Sequence, residues 1–443
     1  MKKKQVAVIG LGLTGLSVVN YMLDEGYQVS VFDTRGHPPG ENKLPADIPL
    51  FTGPLEGRKL LPFPLIIANP GIALSTPALQ MVIKAGGEII GDIELFARKL
   101  KTPAFAHAKC VTITGTNGKS TVTTMLGAMA SAANIKVAVG GNIGVPALDI
   151  LSPEITLYIL ELSSFQLETT TSLNADIATI LNISEDHLDR YDSYQHYIDS
   201  KHLIYNQCKK ALYNSDDPET LPKNKSNKIS FGYSNAAYSL ISVHDEVFLA
   251  RKGVPLLLAN KIKLSGKHNW INALASLALG DEVDIDETAM LFALQNYKGL
   301  SHRCEFIADI NGVRWINDSK STNVGSTQAA LVGLSDTIKG KVHVILGGQG
   351  KNAQFQKLKC ALDEISGEIL CIGEDANKIA AVASSAKIMA NLSLATQQIY
   401  ATAKAGDLAI LSPACASFDM FDNFMARGDK FKSLVLALKS DIS

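Results

Sequence analysis

A lysine and a hydroxyl at the end of a short glycine turn can hold a phosphoryl group for transfer, and residues 114–121, TGTNGKST, set Lys119 and Ser120 in that relation. In a phosphate-binding loop the glycines let backbone N–H groups turn inward around phosphate oxygens. The following helix presents its positive end, the lysine reaches the terminal phosphates and the hydroxyl binds Mg2+. Gly115, Thr116, Asn117, Gly118, Lys119, Ser120 and Thr121 supply these parts, between a strand-like run at 110–113 and a helix-like run at 122–129. The glycines stand closer together than in the usual pattern, so the loop reads as a short variant. A polar strand-to-helix turn capped by Thr116 or Asn117 is the alternative.

Two further reactive groups follow apolar, strand-like runs. Glu161 ends LYILEL, and His187 follows IATILN within NISEDHLDRY. Ligands of an open parallel sheet sit beyond the carboxyl ends of its strands, so Lys119, Ser120, Glu161 and His187 are expected to converge. A carboxylate beside a phosphate-loop hydroxyl suits Mg2+ bridging β- and γ-phosphates, which makes Glu161 a metal candidate. Its other reading is an acid at the start of a helix beginning near Ser163. His187 is either a metal ligand or an exposed loop histidine, since Mg2+ prefers oxygen donors. Lys201 lies in a helical pattern over 194–205, where a solvated lysine is the default. In SGKHNWINAL, Asn269 and Asn272 share a helix face and can read a base edge or hydrogen-bond locally.

A second glycine turn, GLGLTG at 10–15, follows the strand-like QVAVIG, and Asp33 ends the next strand, QVSVFD. This arrangement holds a pyrophosphate and a ribose hydroxyl in NAD- or FAD-binding folds. Tight strand-to-helix packing and the diphosphate of a different nucleotide are the other two readings. A dehydrogenase has little use for the additional phosphate loop, which favours the different nucleotide.

The elements that must carry these residues alternate between strand and helix, the pattern of a parallel sheet covered by helices. At 443 residues the chain exceeds a single core. We expect an α/β protein of three domains: a Rossmann-like first domain over 1–97, a central ATP-binding domain with a mainly parallel sheet over 98–300, and a Rossmann-like third domain over 301–443. The stretch around 233–264 alternates as antiparallel strands do. In the third domain NDSKSTN (317–323), LGGQGKN (346–352) and SPACASFDMF (412–421) each follow a strand-like run. Three polar loops at one sheet edge suggest a binding face.

A formal net charge of -1 and a pI near 6.8 argue against a nucleic-acid or polybasic membrane partner. The six cysteines include no C-x-x-C pair, so zinc and redox chemistry are not indicated. A charged start followed by VAVIGLGLTGL imitates a secretion signal without its cleavage site. Uninterrupted apolar stretches fall short of the roughly 18 residues a span requires. A cytoplasmic monomer acting on small molecules is expected.

TGTNGKST, ELSSFQLE, EDHLDRY, SGKHNWINAL, HRCEF, WINDSKSTNVGST, LGGQGK and SPACASFDMF extend along essentially the whole chain. Together they resemble the ATP-dependent Mur ligases of peptidoglycan synthesis. The central loop is also similar to that of folylpolyglutamate synthases. GLGLTG, FDTR and SPACASFD resemble the Mur ligases that add D-glutamate to UDP-N-acetylmuramoyl-L-alanine. The resemblance implies that ATP converts the substrate carboxylate to an acyl phosphate, which the D-glutamate amine then attacks. It also implies that the first domain binds UDP instead of NAD.

By the same resemblance Leu13, Thr14, Asp33, Thr34 and Arg35 contact the uridine nucleotide, with Gly71 and Asn142 nearby. Gly115 to Thr121 hold ATP phosphates, helped by Asn272, Arg303 and Asp318. The catalytic set would be Lys119, Glu161, His187 and Lys201. Ser120 and Glu161 would bind one Mg2+, and His187 a second one together with Lys201, which the family N-carboxylates to a carbamate. Thr322, Lys351, Ser417, Phe418 and Phe424 would receive D-glutamate. Ser301, Cys304 and Phe418 depart from the family's usual residues. A sister ligase or folylpolyglutamate synthase-like ligase with another acceptor, and a nucleotide-binding module without ligase activity, are the alternatives.

Overall fold

The computed structural model describes residues 4–187, 190–264, 266–335, 338, 340–350 and 353–440. The chain divides into two compact units, residues 1–241 with 250–256 and 274–293, and residues 242–249 and 257–273 with 294–443.

The first unit begins with β1 (Gln5–Ile9), β2 (Gln28–Asp33), β3 (Leu50–Thr52), β4 (Leu65–Ala68) and β5 (Glu88–Ile90), in the order β3-β2-β1-β4-β5 and parallel throughout. The first two central strands, β1 and β4, are apolar runs buried almost end to end, as strands covered on both faces must be. The chain order reverses between β1 and β4, which puts the glycine turn after β1 at the switch point where doubly wound sheets bind ligands. The run that imitates a secretion signal is therefore β1, this turn and the start of the helix Leu13–Asp24.

Gly15 marks how closely that helix approaches the turn. A Cβ there would lie 2.0 Å from the Gly10 carbonyl oxygen, and backbone cannot yield as a flexible side chain can. Gly15→Ala is expected to destabilise the protein by about 1–3 kcal/mol through overpacking and to weaken nucleotide binding at the turn. A urea melt and a UDP-substrate titration check both, and an unperturbed variant would remove the turn from the site.

β6 (Lys109–Thr114), β7 (Val137–Gly141), β8 (Leu157–Glu161), β9 (Ala175–Ile180) and β10 (Cys208–Asn214) form the parallel part of the second sheet, in the order β10-β9-β6-β8-β7. Beyond β10 the sheet continues through β11 (Lys228–Gly232), β12 (Tyr238–Val243), β13 (Glu246–Arg251) and β14 (Val254–Leu258). The expectation of antiparallel strands needs one correction, because β12 pairs with β11 in parallel. The links after β12 and β13 do have hairpin geometry: His244, Asp245, Lys252 and Gly253 all carry positive φ, as two-residue turns between twisted strands require. A continuous core joins the two sheets of the first unit, running from Val6, Val31 and Phe96 to Tyr158, Leu160 and Ile180. Phe96 meets Tyr158 edge to face at 5.2 Å.

The second unit contains β15 (Glu305–Ile310), β16 (Val313–Asn317), β17 (Val342–Gly347), β18 (Ile369–Ile372), β19 (Lys387–Ile388) and β20 (Leu408–Leu411), in the order β15-β16-β20-β17-β18-β19. β15 is antiparallel to β16 and the remaining neighbours are parallel. The three polar loops follow β16, β20 and β17, which are adjacent, so they leave one edge of the sheet together. No helix among the described residues is long and apolar enough to cross a membrane.

Candidate active site

Strand order decides which loops meet. β6 lies between β8 and β9, with Ile113 opposite Glu161 and Thr114 opposite Ile180, so the ends that carry the glycine loop and Glu161 are neighbours, and the segment bearing His187 leaves from β9. The helix Lys119–Ala132 starts at the predicted lysine, and its cap is Gly118 at φ 80, a conformation that glycine adopts at little cost. Thr116 and Asn117 do not cap it. Thr116 N–H donates to Asn182 O at 2.9 Å and Thr116 Oγ1 accepts from Ser184 N–H at 3.0 Å. The Asn182 side chain accepts from Asn117 N–H at 2.8 Å and donates to its carbonyl at 3.0 Å. Asn182 thus fixes the glycine loop from the end of the β9 run. Its place at the end of IATILN was the available signal, but sequence analysis did not single it out.

Ser120 and Glu161 are 1% and 2% exposed, and Ser120 Oγ donates to Glu161 Oε2 at 2.5 Å. Glu161 Oε1 accepts from Asn142 Nδ2 at 2.9 Å. The carboxylate is not a helix cap. That position belongs to Ser163, which forms a reciprocal capping box with Gln166. Two hard oxygen donors in contact beside an N–H-rich loop fit Mg2+, which takes one or two protein oxygens and completes its shell with phosphate and water. Among the described residues no three His, Cys, Asp or Glu side chains gather into a ready-made metal cage.

Lys119 Nζ donates to the carbonyls of Gly115 and Thr116, each at 2.9 Å. Lys201 is not solvated: it is 2% exposed and donates to the same Gly115 carbonyl at 3.1 Å, its Nζ 4.7 Å from the centre of the Tyr197 ring. Burial, and then the neighbouring Lys119 charge, push the Lys201 pKa well below its ordinary 10.5. The amphipathic pattern of the helix Tyr194–Asn206 could not reveal this, because the relevant neighbours, Gly115 and Lys119, come from the loop after β6 and the helix that follows it. His187 sits at φ 54 on the loop after β9, and its backbone N–H donates to Asp186 Oδ1 at 2.9 Å. Its ring packs edge-on to Phe165 at 4.9 Å and lies 6.4 Å from Tyr197. His187 and Lys201 therefore border the same tyrosine.

A cavity of about 520 Å3 opens at the glycine turn, and Leu13, Thr14, Asp33, Thr34, Arg35, Gly71 and Asn142 all line it. Asp33 is pinned by Leu11 N–H at 2.7 Å and by the Arg35 guanidinium at 2.9 and 2.7 Å. Burial opposes ionisation of this carboxylate, but the hydrogen bonds from Arg35 and Leu11 outweigh it and lower the pKa to about 2. Leu13 stands 64% exposed at the mouth, an apolar face for a planar group. Asn69 also lines the cavity and was missed; its amide donates to Ile9 O and Gly10 O at 2.9 and 2.6 Å. Gln166, on the cavity wall, donates to the buried Asp92, whose pKa burial raises to about 6.

In the second unit Asp318 is buried at the end of β16 and accepts from Ser412 at 2.8 Å, Ser321 at 2.5 Å and Cys304 N–H at 3.1 Å. Burial lifts its pKa to about 6 against those hydrogen bonds and the Arg303 charge. Thr322 N–H donates to Lys320 O at 2.8 Å, and Lys320 Nζ lies 4.2 Å from the Phe424 ring centre. Ser417 is buried, whereas Phe418 is 64% exposed. Asn272 donates to Asn269 at 3.2 Å along the helix Lys267–Glu282, so this pair does bond locally. Lys351 lies outside the described residues. The missed residue here is Arg427, fully buried, whose guanidinium reaches Ser319, Gly347, Cys415 and Ala416 and so ties the three loops together. Burial lowers its pKa to about 10, leaving it charged near neutrality.

Residues 4–91 match the family described as Mur ligase MurD-like, N-terminal domain; residues 113–280 the Mur ligase middle domain; and residues 302–415 the Mur ligase, glutamate ligase domain. The chain is 46% identical over 433 residues to a UDP-N-acetylmuramoylalanine–D-glutamate ligase of Aliivibrio fischeri (strain MJ11), with 97% of each chain covered. It is 48% identical over 437 residues to the protein of that name from Baumannia cicadellinicola subsp. Homalodisca coagulata, covering 97% of this chain and 96% of the relative. In fold it is similar to the UDP-N-acetylmuramate-alanine ligase MurC of Thermotoga maritima, with a TM-score of 0.62, 19% identity and 99% of each chain covered.

Proposed function

The chain belongs to the Mur ligase family and catalyses the ATP-dependent addition of D-glutamate to UDP-N-acetylmuramoyl-L-alanine in peptidoglycan synthesis; we propose that it does so through an acyl phosphate, with its residues in the roles that follow. The observation that carries this assignment is the buried Ser120–Glu161 pair beside the phosphate loop.

The uridine nucleotide occupies the cavity at the glycine turn, with Leu13 and Arg35 against the base and Thr14, Asp33, Thr34, Gly71 and Asn142 as polar or close-approach contacts. Gly115, Thr116, Asn117, Gly118, Lys119, Ser120 and Thr121 hold the ATP phosphates, and Asn272, Arg303 and Asp318 are assigned to ATP as well. Ser120 and Glu161 would hold one Mg2+, and His187 with a carbamate of Lys201 would hold a second. Bound there, Mg2+ would supply positive charge against the charge that builds on the transferring phosphoryl group. The neutral Lys201 amine forms its carbamate by attacking the carbon of CO2 and releasing a proton. The product anion then faces the Lys119 cation, an attraction that the uncharged amine lacked.

A carboxylate resists nucleophiles, so the reaction needs a leaving group first. A terminal carboxylate oxygen of the substrate attacks the γ-phosphorus and the bond to ADP breaks. The amine of D-glutamate, received by Thr322, Lys351, Ser417, Phe418 and Phe424, then adds to the carbonyl carbon, loses its proton and expels phosphate as the amide forms. Lys119 steadies the charge on the phosphate throughout.

Substrate labelled with 18O in its alanine carboxylate tests this sequence. One labelled oxygen is expected in the released phosphate, and unlabelled phosphate would rule out the acyl phosphate. An acceptor screen is expected to give ADP release with D-glutamate but not with L-alanine or meso-diaminopimelate. His187→Ala is expected to raise the Mg2+ concentration for half-maximal rate by about tenfold, the loss expected when a metal site's support is removed. An unchanged metal dependence would return His187 to the status of a loop residue.

A further inference from the structure

Asn142 belongs to two sites at once. It lines the cavity at the glycine turn, and it is tied to Glu161 twice, by its backbone N–H to the Glu161 carbonyl at 2.8 Å and by Nδ2 to Oε1 at 2.9 Å. Those bonds exist because β7 runs beside β8 with Gly141 opposite Glu161. Gly141 keeps the strands that close, since a Cβ there would stand 2.4 Å from the Glu161 carbonyl oxygen. The other carboxylate oxygen of Glu161 accepts from Ser120 on the phosphate loop at 2.5 Å. An unbroken path of side-chain hydrogen bonds therefore runs from the cavity wall through Asn142 and Glu161 to Ser120.

We propose that Asn142 is a positioning residue that couples the two ligand sites: substrate in the cavity orients its amide, the amide orients the Glu161 carboxylate, and the metal–nucleotide complex then binds more tightly. This rests on the assignment of the cavity to the UDP-substrate and of Ser120 and Glu161 to Mg2+. The amide chemistry permits both engagements together. A primary amide has two donor hydrogens and an acceptor oxygen, and Glu161 occupies one hydrogen, leaving the second hydrogen and Oδ1 for a ligand in the cavity. A carboxylate of fixed orientation offers a hard cation the same oxygen at a lower ordering cost. Because coupling between binding sites is reciprocal, metal–nucleotide must tighten substrate binding by the same factor.

The test is calorimetric titration of the full-length enzyme with the non-hydrolysable analogue AMP-PNP plus Mg2+, with and without saturating UDP-N-acetylmuramoyl-L-alanine and without D-glutamate. The wild-type dissociation constant is expected to fall at least about fivefold when substrate is present, the lower end of typical site–site coupling. In Asn142→Ala the ratio is expected to drop to near one. The same collapse is expected for the wild-type enzyme titrated in EDTA, because the path ends on the metal's own ligands; this arm needs no variant to fold. Ligands that bind the wild type independently would overturn the coupling and leave the site assignments intact. A ratio that survives in EDTA or in Asn142→Ala would overturn the role of this path. Failure of either ligand to bind the wild type would overturn the assignments beneath the proposal, and the proposal with them.

Discussion

Lys119→Ala should lower kcat by about a thousandfold while leaving the affinity for UDP-N-acetylmuramoyl-L-alanine within twofold of wild type. Removing one preorganised donor from a developing oxyanion costs about a hundred- to a thousandfold, and Lys119 contributes a full charge as well as hydrogen bonds. Its ammonium rests on the carbonyls of Gly115 and Thr116, from which a phosphate oxygen can draw it without moving the backbone. The cavity proposed for the UDP-substrate lies at a different turn and Lys119 is not among its lining residues, so the two effects separate. Steady-state ADP release and a substrate titration check the pair. Undiminished ADP production would mean that the loop does not hold the reacting phosphate. Arginine is not expected to rescue the variant, because its planar fork cannot stand in for a compact point charge in the turn.

Replacing Lys201 should move stability and activity in opposite directions. Lys201 is buried beside Lys119, and both effects disfavour its protonated form. Its folded pKa lies below the ordinary 10.5, so across the interval between the two values the unfolded chain binds more protons than the native one. The sign follows: this lysine costs no stability above the ordinary value, and the cost grows as pH falls toward the folded value. Lys201→Met fills similar volume without the buried amine and is expected to raise unfolding free energy near pH 7 by about 1–2 kcal/mol. It should also flatten the rise of stability with pH in the alkaline range. Activity should fall by at least about a hundredfold with the loss of the carbamate ligand. Urea melts at several pH values, in CO2-free buffer, read the first effect and ADP release the second. A destabilised variant that kept its activity would show Lys201 to be structural.

The fold and the placement of Lys119, Ser120 and Glu161 at neighbouring strand ends were legible for a local reason. Parallel strands covered on both faces read as short apolar runs, and polar residues directly after such a run mark a strand's carboxyl end. That pattern located Lys119, Ser120 and Glu161, the glycine turn at 10–15 and the three loops of the second unit. It also misled once: alternation within 233–264 describes hairpins well, but it contains no information about the parallel pairing of β12 with β11.

Residues that act by holding others escaped. Asn182, Asn69 and Arg427 serve the site through hydrogen bonds to backbone distant in sequence, and nothing near them in the chain announces those partners. Arg427 looks like a surface helix residue until the helix Phe424–Ser440 lays it across four loop carbonyl groups.

The sequence by itself determined the groups available to this protein: a glycine loop that ends in Lys119 and Ser120, a nearby acid, a second glycine turn and the alternation of elements that displays them. Tertiary structure alone decided that Lys201 is buried against Lys119 and that Asn142 grips Glu161. A charge's surroundings and an amide's partner depend on which strands become neighbours, and strand order is set by packing of the whole sheet, not by any local run of residues.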